Sequence, residues 1–330
     1  MNVHELPMIL FTVIGQMSVG AFWVLGAIHV YGYVKKLSPV TVDRVTNTAM
    51  YAAGPLLVLG FFAAFFHLGD PLNALNTLRH IGSSWQSREI ASGILYGATG
   101  FVFAGAQWFG LFSRGVRQVL AALTAFAGFL LVLTMAGTYY SVVTIPAWHN
   151  PAVWVFFFGS AILTGSLAVG VALLVTWNMQ TKQNGVVFGL AKKLKVVSIE
   201  PMTSELTGLT TKSLAGISLA SALAGLTILV TYPIYLLNLA NGPAAAQEVA
   251  SRLMMPASYV RWILLGIVIV LTGVFAFVRA RTTDKPSSVL AWIIVTAFIL
   301  AVASELLGRG MHYEGLWHVG LNTPQTLLGH

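Results

Sequence analysis

The sequence contains no cysteine among its 330 residues. This absence excludes disulfide bonds, thiolate-bound iron–sulfur clusters, c-type haem attachment and a cysteine nucleophile within the chain.

Charged residues are also scarce. They make up 8% of the sequence, compared with roughly 25% in a typical soluble domain, whereas hydrophobic residues make up 57%. A surface that faces water needs charge, so we predict that most of this surface faces lipid. The net charge of +8 lies in short clusters between apolar runs, which is typical of membrane topology rather than of nucleic-acid binding.

Eight apolar runs are long enough to cross a bilayer, which takes about 20 residues in a helix. Backbone groups cannot stay unpaired in lipid, and the runs are too long for the strands of a barrel. The sequence therefore predicts an all-α membrane protein, an eight-transmembrane-helix bundle that forms a single domain over residues 1–330. The predicted spans are about 8–34, 46–66, 89–112, 118–137, 152–177, 213–237, 259–279 and 287–307.

The basic residues predict the orientation of the bundle. Most of them lie in the loops that follow spans 1, 3, 5 and 7, and these include Lys35, Arg114, Lys192 and Arg281. Lysine and arginine concentrate in cytoplasmic loops. We therefore predict an inner-membrane protein whose two termini are periplasmic and whose residues 178–212 form a long cytoplasmic loop.

Histidines and carboxylates gather at the predicted outer face. His67 ends span 2, where Gly69 and Pro71 are typical of a helix end. One interpretation is that His67 only caps the helix, since a protonated imidazole is favourable at the negative helix end. We favour a functional interpretation, because imidazole accepts and releases protons near neutral pH.

Glu89 lies on the same face. Ser87 is a natural N-cap for span 3, and a carboxylate in the first turn suits the positive end of a helix. That interpretation explains Glu89 alone, but not why a base-capable carboxylate and His67 meet the same membrane face. We therefore predict that His67 and Glu89 act together in proton transfer.

Three more charged residues, Arg261, Glu305 and Arg309, lie near the outer ends of spans 7 and 8. Charges at this depth are usually paired or functional, although long arginine side chains can also reach the headgroups. His312 is predicted to lie in a loop. We predict no haem and no metal site, because His29 and His67 lie at opposite faces and cannot ligate one iron.

Several segments resemble one known family. Residues 67–78, which read HLGDPLNALNTL, and residues 87–93, which read SREIASG, resemble the signature of the dimethyl sulfoxide reductase anchor subunits of the DmsC type. The segments HELPMILFT at 4–12, TIPAW at 144–148 and ELLGRG at 305–310 are also similar. The resemblance runs nearly end to end, apart from a longer loop between spans 5 and 6 and a longer C-terminal tail.

This resemblance implies eight spans, periplasmic termini, no haem and oxidation of menaquinol near the periplasmic face. Electrons would pass to an iron–sulfur subunit and then to a molybdopterin catalytic subunit. The quinol-site histidine of the family corresponds to His67, its acidic partner to Glu89 and an arginine of helix 7 to Arg261. We assign Arg309, with Arg261, to the quinol site or to partner docking. Menaquinol would enter from the outer leaflet between spans 2, 3 and 7.

Two alternatives remain from the sequence. A solute or anion transporter fits eight spans with intramembrane charges, but transporters usually place the site near the midplane between repeated halves. Here the ionisable residues lie at one face, and no repeat is evident. The protein also fits an anchor for polysulfide or selenate reduction, since another chain selects the terminal acceptor.

Overall fold

The computed structural model describes residues 6–65, 71–194, 197 and 200–317. Within these residues the chain is nearly all helical and contains no strand, which agrees with the predicted all-α class. His67, a predicted site residue, lies outside the described residues.

Eleven α-helices make up the described part of the chain, together with one 3₁₀ segment and one π-helical segment. The α-helices are α1 Leu6–Val34, α2 Pro39–Phe65, α3 Trp85–Trp108, α4 Arg114–Tyr140, α5 Ala152–Lys182, α6 Val186–Lys193, α7 Ser204–Ala240, α8 Ala244–Leu253, α9 Pro256–Val270, α10 Phe277–Thr282 and α11 Ser288–Glu314. The 3₁₀ segment is Pro71–His80, and the π segment Leu271–Ala276 joins α9 to α10 without a break.

Seven helical runs in the described residues are long and apolar enough to cross a membrane. They are α1, α3, α4, α5, α7, α11 and the continuous run Pro256–Thr282 that contains α9 and α10. The 27-residue helix α2 is not among them. Seven of the eight predicted spans are therefore supported, and the eighth stays a prediction.

Hydroxyl side chains fix where several of these helices begin. Ser84, Ser113, Thr203 and Ser287 each accept a hydrogen bond from a backbone N–H of the first turn, which satisfies one of the donors left free at a helix start. The N-cap of α3 is Ser84 rather than the predicted Ser87, whose N–H donates to the Ser84 hydroxyl at 3.3 Å. Helix α3 therefore begins at Trp85, ahead of the predicted start at residue 89.

Two helices extend well beyond the apolar runs that predicted them. The 37 residues of α7 measure about 55 Å at 1.5 Å per residue, whereas the hydrocarbon layer is only about 30 Å thick. Its first turns, and the short helix α6, occupy part of the predicted 178–212 loop. Similarly, α11 continues to Glu314, beyond residue 307. Hydropathy marks the thickness of the lipid layer, whereas backbone hydrogen bonding can continue a helix into the headgroup region.

The long helices form one packed bundle. Helix α1 packs against α2 and α5, α5 also packs against α7, α3 packs against α4, and α9 packs against α11. The tightest approach is between α1 and α5, where a Cβ built on Gly20 would lie 1.8 Å from the Ala161 carbonyl oxygen. Gly20 therefore permits backbone contact between these helices, as small residues do in membrane bundles.

The two ends of the bundle are closed by different contacts. At the end that we predict to face the periplasm, here called the outer end, the Trp148 indole N–H donates to the His312 carbonyl oxygen at 2.8 Å. At the opposite end Arg44 donates to the Glu200 carbonyl oxygen at 2.8 Å. The functional residues predicted from the sequence that are described all lie toward the outer end.

Candidate functional site

Glu89 lies near the start of α3, and its side chain faces α4. The residue is 8% exposed, and its Oε2 lies 2.8 Å from the Thr138 hydroxyl. A buried carboxylate needs a hydrogen-bond partner, because the group loses its hydration on burial. Thr138 supplies that partner from the last turns of α4.

The Thr138 hydroxyl also lies 2.9 Å from the Thr134 carbonyl oxygen. A threonine hydroxyl has one proton and can also accept. When Glu89 is ionised, the hydroxyl can donate to the carboxylate. When Glu89 is protonated, the carboxyl can donate to the hydroxyl, whose own proton then turns to the Thr134 carbonyl. The pair thus accommodates both protonation states of Glu89.

Tyr139 follows Thr138 in α4, and its side chain contacts the end of α11. Its hydroxyl lies 2.6 Å from that of Tyr313, and its ring meets the edge of the His312 ring with centroids 4.6 Å apart. Tyr139 therefore contacts two residues at the end of α11, next in the chain to the threonine that holds Glu89.

Arg261 of α9 forms an ion pair with Glu305 of α11. Its Nη2 lies 3.4 Å from Glu305 Oε1, and both side chains are 3% exposed. The guanidinium also lies over the Tyr232 ring at 5.1 Å, where the negative face of the ring favours a cation. The alternative that Arg261 reaches out to the headgroups is wrong, since its side chain is enclosed by the bundle.

Arg309, also on α11, faces α1 and α5. Its Nη2 donates to Gln16 Oε1 at 2.8 Å, and its Cζ lies 3.6 Å from the centre of the Phe157 ring. Arg309 is 3% exposed, and Gln16 is fully buried. Arg309 therefore connects three helices through an amide and an aromatic ring, and it too does not reach the headgroups.

Gly308 makes room for the Arg261 guanidinium. A Cβ built at Gly308 would lie 2.5 Å from Arg261 Cζ, far inside the normal 3.5–4.0 Å contact distance between carbon atoms. The missing side chain at Gly308 therefore sets the position of the Arg261–Glu305 pair.

The arginines line a small cavity that residues of α5, α7, α8, α9 and α11 enclose together. Its volume is about 20 Å³, and its polar lining includes Arg261, Glu305, Arg309 and His312. A single water needs about 10–15 Å³ on this measure, whereas pockets for drug-sized ligands span about 300–1,000 Å³. The cavity is therefore the size of one water or one monatomic ion, and no quinol ring fits in it.

The structure thus brings together three of the charges predicted from the sequence, Arg261, Glu305 and Arg309. Glu89 does not line this cavity and lies against Thr138 of α4 instead. In the part of the chain that the structure describes, no group of three histidine or acidic side chains is arranged to hold a metal ion.

Sequence reasoning missed four contributors to the site. The prediction that His312 lies in a loop was wrong, because α11 continues past it to Glu314. Gln16 gave a signal that was overlooked, since it is a polar residue in an otherwise apolar stretch of α1. Thr138 and Tyr139 gave no such signal, because threonine and tyrosine are ordinary residues near the end of a membrane helix.

A family model matches nearly the whole sequence. The family model described as DMSO reductase anchor subunit (DmsC) matches residues 1–316. This match covers α1 to α11 and every described residue of the site.

Two reductase relatives each align with about half of the sequence. An anaerobic dimethyl sulfoxide reductase chain of Haemophilus influenzae is 32% identical over 53% of this protein and 60% of the relative. The anaerobic dimethyl sulfoxide reductase protein YnfH of Escherichia coli is 32% identical over 53% of this protein and 61% of the relative. A sulfite dehydrogenase subunit of Allochromatium vinosum is 30% identical over 36% of this protein and 39% of the relative. The aligned part thus spans about three fifths of the two reductase relatives.

Proposed function

This chain belongs to the DMSO reductase anchor subunit (DmsC) family and is a multi-pass protein of the bacterial inner membrane; on that premise we propose that it anchors a molybdopterin-dependent reductase complex and oxidises menaquinol for it. Its partners would be an iron–sulfur electron-transfer subunit and a molybdopterin catalytic subunit. The chain itself supplies the quinol site and no metal centre.

The proposed topology has eight spans and periplasmic termini, with α2 as the eighth span. No lysine, arginine, aspartate or glutamate occurs between Arg44 and Asp70, so that stretch can lie in hydrocarbon. Helix α2 also packs along α1, one of the seven apolar runs. The excess of lysine and arginine in the alternate loops supports cytoplasmic placement of those loops.

In the proposed reaction, menaquinol gives up two protons and two electrons at the outer end. His67 accepts one proton and Glu89 the other, and both protons leave toward the periplasm. The two electrons pass to an iron–sulfur cluster of the partner. The observation that carries this proposal is the Thr138 hydroxyl, which lies within hydrogen-bond distance of both Glu89 and the Thr134 carbonyl. It lets Glu89 change protonation state with a partner in either state.

In this proposal, Arg261 and Arg309 contact neither the quinol nor a docked subunit. Both are 3% exposed, and the cavity between them is too small for a quinol ring. We assign them as positioning residues that hold α1, α9 and α11 together beside Tyr139. The quinol would then approach Glu89 from the α2–α3 side.

The catalytic partner would determine the terminal substrate. Two relatives carry names of dimethyl sulfoxide reductase chains, and another carries the name of a sulfite dehydrogenase subunit. These two kinds of name support the proposal that related anchors serve catalytic subunits with different substrates. Dimethyl sulfoxide is the first acceptor to test.

The test compares the assembled complex with its His67→Ala and Glu89→Gln variants. Oxidation of a menaquinol analogue should fall about 10²–10⁴-fold in each, the usual contribution of a general base. Asp284→Asn is the control, since Asp284 is an exposed carboxylate between α10 and α11. Unchanged oxidation in both site variants would reject the proposed site. Purification of the chain without iron–sulfur and molybdenum subunits would favour the transporter alternative.

A further inference from the structure

The buried cluster on α9 and α11 carries unequal numbers of opposite charges. Two arginines, Arg261 and Arg309, share one carboxylate, Glu305, and all three side chains are almost fully buried. Glu305 is the only acidic side chain among the described residues that line the cavity with the two arginines. Arg309 itself donates to an uncharged amide, that of Gln16. Among the described side chains of this cluster, one positive charge therefore lacks a counter-charge, although buried charges are costly unless paired.

The same cluster has unused hydrogen-bonding atoms. In the part of the chain that the structure describes, Arg261 Nε, Arg309 Nε and His312 Nε2 are shielded from solvent and have no hydrogen-bond partner. The two arginine atoms are N–H donors, and the imidazole nitrogen can be one. All three residues line the cavity of about 20 Å³. Buried donors of this kind normally have a partner, so the cavity has both the charge and the donors to hold a negative ligand.

We propose that this cavity binds a single small monovalent inorganic anion of the halide type, such as chloride. A monatomic anion is little larger than water and matches a cavity of this size. It would neutralise the surplus charge, which a water molecule cannot do. A carboxylate ligand or a quinol head is excluded by the volume, and a cation is excluded by the two guanidinium groups.

The bound anion would complete the contact between α1, α9 and α11. It would accept hydrogen bonds from donors on α9 and on α11, while Arg309 keeps its bond to Gln16 of α1. Because the unfolded chain has no such site, halide binding should stabilise the folded protein by RT ln(1 + [halide]/Kd), where Kd is the dissociation constant of the site. This role does not depend on quinol oxidation, so it can be tested apart from the proposed function.

The first test measures thermal unfolding of the full-length chain in detergent by its tryptophan fluorescence. Sodium gluconate is replaced by sodium chloride or sodium bromide at constant ionic strength. We expect both halides to raise the unfolding temperature by a few degrees, and the rise to grow with the logarithm of halide concentration once that concentration exceeds the Kd. The proposal would be overturned if neither halide raised the unfolding temperature, or if sodium gluconate added at the same concentration raised it equally.

Charge variants make the test specific to the cavity. Arg309→Gln removes the surplus positive charge and should abolish the halide-dependent rise, whereas Glu305→Gln removes the competing carboxylate and should enlarge it. Arg252→Gln is the matched control, because Arg252 is half exposed, pairs with Glu248 and lies outside the cavity. It should keep the rise seen in the unaltered protein. Equal halide responses in the Arg309→Gln, Glu305→Gln and control proteins would contradict a site in this cavity.

A second measurement applies even where Arg309→Gln does not fold. Crystals of the unaltered protein grown in bromide should give one anomalous scattering peak between Arg261, Arg309 and His312. A cavity that holds only water under these conditions would overturn the proposal.

Discussion

The substitution Gly308→Ala tests the packing of the buried ion pair. The added methyl group would lie 2.7 Å from Arg261 Nε. It would lie 2.5 Å from Arg261 Cζ, at least about 1 Å inside ordinary contact between carbon atoms. Either the guanidinium or the α9–α11 interface has to move by about that distance. The Arg261–Glu305 separation is already 3.4 Å, so the movement should weaken or break the pair.

The loss of unfolding free energy depends on whether the helix interface yields or the ion pair separates. Overpacking of a core costs about 1–3 kcal/mol, and separating a buried ion pair costs about 3–5 kcal/mol. We expect the free energy of unfolding to fall by a value within about 1–5 kcal/mol, toward the upper end if the pair separates. Reversible unfolding of the full-length protein in mixed detergent micelles measures this change.

The control is Gly266→Ala on α9, where an added Cβ meets nothing within 4 Å. It should be neutral or slightly stabilising, because alanine favours helix more than glycine. If both substitutions change stability equally, the steric explanation is wrong. In an Arg261→Ala background, Gly308→Ala should lose most of its cost, since the atoms it strikes are gone; additive effects would refute the contact.

Two further predictions concern the α1–α5 crossing and the partner of Glu89. Gly20→Ala should disrupt the bundle and prevent purification of folded protein, because the new Cβ would lie 1.8 Å from the Ala161 carbonyl oxygen. Gly26→Ala on the same helix is the control and should purify normally, because its Cβ meets nothing within 4 Å. Equal yields of the two variants would contradict the close approach of α1 and α5. Thr138→Val keeps the side-chain shape but leaves Glu89 without its hydrogen-bond partner. An unfolding assay should show a loss of about 1–3 kcal/mol of stability, and an oxidation assay should show slower menaquinol oxidation by the complex. Thr138→Ser keeps the hydroxyl and should retain most of the stability and most of the oxidation rate.

The sequence predicted the helices better than it predicted their ends. Hydrocarbon spans follow from composition alone, because lipid forces every backbone group into an internal hydrogen bond. The ends depend on local partners, such as the Ser84 hydroxyl that begins α3. The prediction for His312 failed because α11 continues past the apolar residues on which the predicted span was based.

The sequence also selected Glu89, Arg261, Glu305 and Arg309, since charged residues in apolar runs are conspicuous. The sequence did not predict which side chains these residues contact. Arg309 and Gln16 are 293 residues apart in the chain, and Thr138 is one threonine among many. Side-chain pairing across helices depends on rotation and crossing of each helix, which hydropathy does not encode.

By itself, then, the sequence determined that this protein lies in a membrane as an all-helical bundle, because its scarcity of charge leaves no other solvent for most of its surface. Only the tertiary structure decided that Glu89 lies against Thr138 while the two arginines enclose a separate cavity with His312. The reason is physical: solvent preference is a sum over residues, whereas the site depends on which face each helix turns toward its neighbours.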